Sequence, residues 1–257
     1  MTIPQRLRAA APAVLTHLAA SAAVAFCCAW LVFGLWYPFP YGDMAGGRGL
    51  FLLLVGVDVV CGPLLTLIVF DTRKPRGELL RDIGFIVLIQ LAALAYGVAA
   101  AAQARPVFLA FEGNRFRVVS LPDIETDSLA RAPEALRQFG LGGPRLIGVR
   151  LARPVDPDFP ESIQLSLRGV HPAYRPERWV DYEAQRRDVA RAARPLSALR
   201  QKHPERQAEI DEALRQAGLA EERIGFLPLV SSRRDDWVTL VDRERGAPVA
   251  YVPFDGW

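Results

Sequence analysis

Three transmembrane α-helices followed by an exported α+β domain with a mixed or antiparallel sheet is the fold class this sequence predicts. Three observations lead there. Long apolar runs fill residues 1–104, whereas residues 105–257 hold 24 of the 31 Lys/Arg and 23 of the 28 Asp/Glu side chains. Within that charged part, short Val/Phe-rich runs alternate with segments of helical spacing. Overall, 51% of residues are apolar and 23% charged, values that an ordinary soluble domain could show. Their segregation is what separates a lipid-compatible part from a water-soluble one. The near-cancelling charges of the second part exclude a phosphate-tracking nucleic-acid domain, which would be clearly basic.

The first expected span, Val14 to Trp36, is free of charge and about 34 Å long as a helix, enough for a hydrocarbon core of roughly 30 Å. Arg6 and Arg8 precede it, as they would in a signal peptide. A signal's apolar core is only about 7–15 residues long, and here the candidate cleavage triplet Ala20-Ser21-Ala22 is followed by more of the same run. An uncleaved anchor is expected. Gly49 to Phe70 is the second expected span, with Asp58 as its one charge; the Gly62-Pro63 pair predicts a kink near Val59. Ile83 to Ala102 is the third, interrupted by Gln90, Tyr96 and two glycines. Backbone groups in lipid must pair internally, so each span is expected to be a helix.

Loop charges predict the orientation. Arg73, Lys74, Arg76 and Arg81 lie in the loop Asp71–Asp82, against Arg48 alone in Tyr37–Arg48. The positive-inside rule puts the N-terminal tail and the second loop in the cytoplasm and everything after Arg105 outside. Trp36, Tyr37, Phe39 and Tyr41 cluster where amphipathic rings favour the outer interface. Cys27, Cys28 and Cys61 all fall inside expected spans and read as small apolar packing residues. The 105–257 domain has no cysteine and is large enough to fold without disulfides.

In that domain, residues 106–119 read as a hairpin whose turn is Glu112-Gly113-Asn114-Arg115. Ser128–Phe139 has helical spacing, with Pro133 delaying the regular part to about Ala132. Arg145–Leu151 alternates as a strand does. Residues 153–178 are proline-rich and predict loops, with one strand candidate at Ile163–Leu167. Trp179–Arg200, interrupted at Pro195, and Pro204–Ala217 read as helices. Gly225–Ser231, Trp237–Asp242 and Pro248–Phe254 read as strands.

Catalytic signatures are sparse. His17, His171 and His203 are not paired at ligand spacing, and no nucleophile elbow, phosphate loop or dinucleotide fingerprint occurs. No catalysis, metal or cofactor is therefore expected. Arg186, Arg187, Arg191 and Arg194 read as a solvated helix face, and Arg233–Asp236 as a polar turn. Asp58 demands an account, because an acid at mid-span costs about 2.5–3.5 kcal/mol on insertion scales. Depth arithmetic puts Asp58 about 18 Å, and Tyr96 about 19–20 Å, from the inner ends of their helices. The Tyr96 hydroxyl could thus donate to Asp58. No second carboxylate is near enough for a protease dyad, since Asp71 is about 20 Å away. The readings for Asp58 are a structural hydrogen bond, a docking notch for a partner helix, or an acid in proton chemistry. In the second, Asp58, Tyr96, Gln90, Gly62 and Pro63 are the expected partner-binding residues, with Gly56 and Gly62 allowing close approach.

Several stretches together resemble the type IV pilin accessory protein family, the TfpX/TfpZ group. They are Leu35-Trp36-Tyr37-Pro38-Phe39-Pro40-Tyr41, Gly46-Gly47-Arg48 leading into Leu52–Asp58, Gly62-Pro63-Leu64-Leu65-Thr66-Leu67, Leu79-Leu80-Arg81-Asp82, Leu88–Leu94 and Ala104-Arg105-Pro106-Val107. Phe111 and Arg115-Phe116-Arg117-Val118-Val119 extend the likeness, which covers roughly residues 30–120. The resemblance implies a multi-pass inner-membrane protein of a Gram-negative bacterium, with a periplasmic domain, acting as a pilin-specific chaperone or assembly modulator without known catalysis. Its implied partners are a type IV pilin, the lipid bilayer and other pilus assembly proteins. The alternative is a membrane-anchored sensor whose exported domain binds a small ligand, for which the short inner loop offers almost no output.

Overall fold

A computed structural model describes residues 3–257. The side chains of residues 3–6, 50, 53, 54 and 57 lie outside the described residues, among them Arg6 of the charge-based orientation and Leu53, Leu54 and Val57 of the family resemblance. The chain forms two compact units: a helical unit reaching to Ala104, and a second unit of Arg105–Trp257 to which Asp43–Ala45 also belong.

The helical unit contains α1 (Ile3–Ala29), continued by a π-helical turn pair over Trp30–Trp36. The Tyr37 amide closes that segment on the Val32 carbonyl at 2.7 Å, five residues back. A short α2 (Tyr41–Met44) precedes α3 (Gly47–Val69) and α4 (Arg76–Ala104). Gly46 enters α3 at φ 74°, a left-handed backbone that glycine adopts without Cβ strain. α3 packs against both α1 and α4. Many outward side chains are apolar, with Phe26 73% and Leu88 63% exposed; a surface of that kind suits hydrocarbon rather than water.

Among the described residues, two helical stretches are long and apolar enough to cross a membrane, Leu7–Trp36 and Arg76–Ala104. The expected set of three spans, 14–36, 49–70 and 83–102, is corrected to these two. α3 is helical throughout, but the side chains of residues 50, 53, 54 and 57 lie outside the described residues, and the apolar helix found within it is Asp58–Val69.

The second unit holds one mixed sheet. Its strands are β1 (Pro106–Phe111), β2 (Phe116–Ser120), β3 (Arg145–Val149), β4 (Trp179–Val180), β5 (Arg194–Pro195), β6 (Ile224–Val230), β7 (Trp237–Asp242) and β8 (Ala247–Val252). The order is β4-β3-β1-β2-β6-β7-β8, with β5 paired to β6. β1 and β2 form the antiparallel hairpin, turning at Gly113 with φ 75°. β1 runs parallel to β3, and β2 parallel to β6. The helices are α5 (Phe159–Leu167), α6 (Arg186–Ala192), α7 (Leu196–Lys202) and α8 (Gln207–Ala217). Apolar side chains gather in two clusters. One joins Phe108, Ile147 and Trp179, with the Phe108 and Trp179 rings edge-on at 4.8 Å. The other places Leu199 of α7 and Ile210 of α8 against Phe226 and Leu240.

Three local expectations are corrected. Ile163–Leu167 is not a strand but the C-terminal half of α5, started by Pro160 in its first turn; five residues of alternation are too few to separate period 2 from period 3.6. Ser128–Phe139 forms only 3-10 turns at Thr126–Arg131 and Glu134–Leu136, because Pro133 removes a donor where a regular helix would need it. Trp179–Arg200 is not one kinked helix: β4, α6, β5 and α7 share it.

Candidate functional site

The helical unit contains one connected polar cluster. Thr66 of α3 is 1% exposed, and its hydroxyl lies 2.6 Å from His17 Nδ1 of α1. His17 Nε2 lies 2.9 Å from Gln90 Oε1 of α4. Gln90 Nε2 donates to the Asp58 carbonyl at 3.0 Å. The chain of bonds fixes the roles. A backbone carbonyl only accepts, so the Gln90 amide group faces it, leaving Oε1 to accept from His17 Nε2–H; His17 Nδ1 and the Thr66 hydroxyl share the remaining bond. One hydrogen-bonded line therefore ties all three long helices.

Local sequence makes this possible. Gly62, Pro63 and Thr66 are buried on one face of α3, as spacings of three and four residues require. A Cβ at Gly62 would collide with the Gln90 carboxamide, so glycine is what admits Gln90 to the α3 backbone. Pro63 removes one donor from that turn, and Gln90 supplies a donor to the neighbouring Asp58 carbonyl.

Beside the cluster is a cavity of about 110 Å³. His17, Ser21 and Val24 line it from α1, Asp58 from α3, and Gln90 and Leu94 from α4. The Asp58 carboxylate is half-buried and makes no hydrogen bond or ion pair among the described residues. Of the residues expected from the sequence, Asp58, Gln90, Gly62 and Pro63 are brought together. Tyr96 is 79% exposed and is not joined to Asp58. His17 and Thr66 are the members that the sequence reading passed over. A signal for them existed: His17 is about 5 Å, Thr66 about 6 Å and Gln90 about 10 Å from the expected inner ends of their runs.

The sheet unit has a second buried polar centre. Glu112 accepts from Arg117 Nε at 2.9 Å and from the Ala173 amide at 3.2 Å, and the Arg117 guanidinium lies over the Tyr174 ring. His171 packs edge-on against Tyr174. Burial first, and then the Arg117 charge, hold the His171 imidazole below its ordinary range. His203 instead lies 2.9 Å from the Asp255 carbonyl. The Glu112 carboxylate thus pins Ala173 to the β1–β2 hairpin.

Comparison with known proteins bears on the whole chain. The family model "Fimbrial assembly protein FimB" matches residues 5–46. The fimbrial assembly proteins of serogroup I and of serogroup E1 from Dichelobacter nodosus are each 37% identical over 235 residues, 91% of this chain and 91% of theirs. That of serogroups C1 and C2 from the same organism is 43% identical over 116 residues, covering 45% of this chain and 88% of that protein. No solved structure matches.

Proposed function

Because this chain belongs to the fimbrial assembly protein family, we propose that it serves type IV pilus biogenesis as a membrane-anchored accessory protein that docks the apolar helix of a pilin at the Asp58 cavity. One observation carries the docking: an acid within the apolar helical unit opens into a cavity without a partner of its own. In lipid, an unpaired polar group is costly and faces a bundle interior or an incoming partner. Gly62 keeps the α3 backbone approachable, and the His17–Thr66–Gln90 line holds the cavity walls in register.

The same reading makes the protein an inner-membrane chaperone with its sheet unit on the periplasmic side. That side follows from the flanks of α4 alone: Arg73, Lys74, Arg76 and Arg81 precede or open it, against Arg105 at its far end. A pilin with an apolar helix in the membrane and a globular head outside would meet a membrane cavity and an exported domain on one chain. Two weak contacts on one chain raise avidity through effective concentration.

The test is Asp58→Asn. The amide still hydrogen-bonds, so abundance and folding stay near normal, while crosslinking from Val24 or Leu94 to the pilin helix weakens and surface pili fall. A stable Asp58→Asn protein with normal crosslinking and normal piliation would overturn the docking.

A further inference from the structure

A second surface lies on the far side of α4. Ile86, Gln90 and Leu94 form the inner face of that helix, Ile86 and Leu94 buried and Gln90 bonded to the Asp58 carbonyl. Between Ile83 and Ala104 the polar side chains are Gln90, Tyr96 and Gln103. Tyr96 is 79% exposed, and Gln103 is exposed as well. Neither side chain makes a hydrogen bond among the described residues. They lie seven residues apart, so they share one face of the helix. Phe85, Ile89, Ala92 and Ala99 complete the same row in alternating steps of four and three, and all are exposed.

In water these two polar groups would be hydrated. α4 is long and apolar enough to cross a membrane, and there an idle donor and acceptor go unanswered. Tyrosine favours the headgroup boundary, but Tyr96 does not reach it. Its Cα lies six residues, about 9 Å, from Ala102. Helical side chains tilt toward the N-terminus, which carries this hydroxyl deeper into the core. A row with steps of three and four is also the geometry of a left-handed helix pair, in which each residue of the seam enters the facing helix.

We propose that α4 pairs with α4 of a second copy of this chain along this row, with the Tyr96 hydroxyls hydrogen-bonded to each other across a two-fold axis. Self-complementarity selects the occupant. Copies of one chain enter a membrane in one orientation, so their α4 helices run parallel. A two-fold axis along the membrane normal then sets each residue of the row beside its own counterpart. A hydroxyl and a carboxamide each donate and accept, so each answers itself. Ala92 and Ala99 flank Tyr96 and leave its ring room against the partner helix. The proposal rests on α4 crossing the membrane, and not on pilin docking at the Asp58 cavity, which none of the six residues lines.

The test uses the full-length protein in native membranes, with a photo-crosslinking residue replacing Ala99 on the row or Leu91 off it. Leu91 is 52% exposed, so both positions are open to a neighbour. Position 99 should give an adduct of twice the chain's mass, and position 91 should not. Energy transfer between labelled copies diluted in proteoliposomes then gives a dissociation constant. Tyr96→Phe removes only the hydroxyl and should raise that constant about threefold, the worth of one interhelical hydrogen bond in lipid. Adducts at position 99 with lipid alone, or with a different protein such as a pilin, would mean that something else covers the row, and the proposal fails. Equal homodimer yields at 91 and 99, or equal constants for wild type and Tyr96→Phe, would overturn it as well. Pilin docking is read instead from Val24, Leu94 and Asp58→Asn, so the two readings fail separately.

Discussion

At the scale of single residues, the chain relies on side chains that finish what the backbone leaves open. Gly62 and Gln90 are the clearest pair: one has no side chain so that the other can reach the Asp58 carbonyl. Gly62→Ala is expected to push Gln90 off that carbonyl and to lower the thermal stability of the detergent-solubilised protein by about 1 kcal/mol. Combining Gly62→Ala with Gln90→Ala should cost less than the sum of the two, because the colliding group is gone; strict additivity in that double-mutant cycle would contradict the contact. Asp242 plays a similar part in the sheet unit. It is 1% exposed and accepts from Arg223 at 3.0 and 2.7 Å and from the Glu244 amide at 2.9 Å. The Arg223 guanidinium first, and these amides, hold its carboxyl at about 2. An unfolded aspartate titrates near 3.9, so the stabilisation is complete above about pH 4 and is lost as pH falls toward 2. Asp242→Asn should cost about 2 kcal/mol at neutral pH and flatten that acid limb. Denaturant unfolding followed by tryptophan fluorescence, repeated from pH 5 to pH 2, measures both.

At the scale of elements, burial explains which segments the sequence announced and which it concealed. β6 and β7 are buried at every position, as strands covered on both faces are, and they stand out as apolar runs between turn residues. α8 needs only Ile210, Ala213 and Leu214 at helical spacing to seat on the sheet. Ile210 is fully buried, so Ile210→Ala should cost about 2–5 kcal/mol. The C-terminal half of α5 looks like a strand in the sequence because Ile163, Leu165 and Leu167 alternate. As a helix it leaves Leu167 84% exposed, and Leu167→Glu should change stability by less than about 0.5 kcal/mol. In a core-facing strand the same change would be severe, so one unfolding curve separates the two descriptions. β4 and β5, two residues each, carry no periodicity. They exist because their backbones find partners in β3 and β6, and Pro195 is tolerated because β5 is a short edge piece.

At the scale of the whole molecule, a charge-poor helical unit and a charge-rich sheet unit share one chain. The α4 flanks lead to an expected outcome: a reporter fused after Arg76 behaves as cytoplasmic and one fused after Gly140 as exported, by paired phosphatase and fluorescent-protein activities. The reverse pattern would reverse the assigned side. The sequence by itself determined this segregation, the hairpin at Glu112–Arg115, the three C-terminal strands and the presence of an awkward acid at Asp58. Each rests on composition or on turn chemistry within a few residues. It also suggested three spans, since apolar length is easy to count; among the described residues two stretches are long and apolar enough to cross a membrane. Tertiary structure alone decided the parallel pairing of β1 with β3 and β2 with β6, the convergence of His17, Thr66 and Gln90, and the burial of Arg178 beneath Asp158. Those features join residues far apart in the chain through backbone and side-chain hydrogen bonds. Such bonds leave no period in the sequence, because each needs only one donor and one acceptor to meet in space.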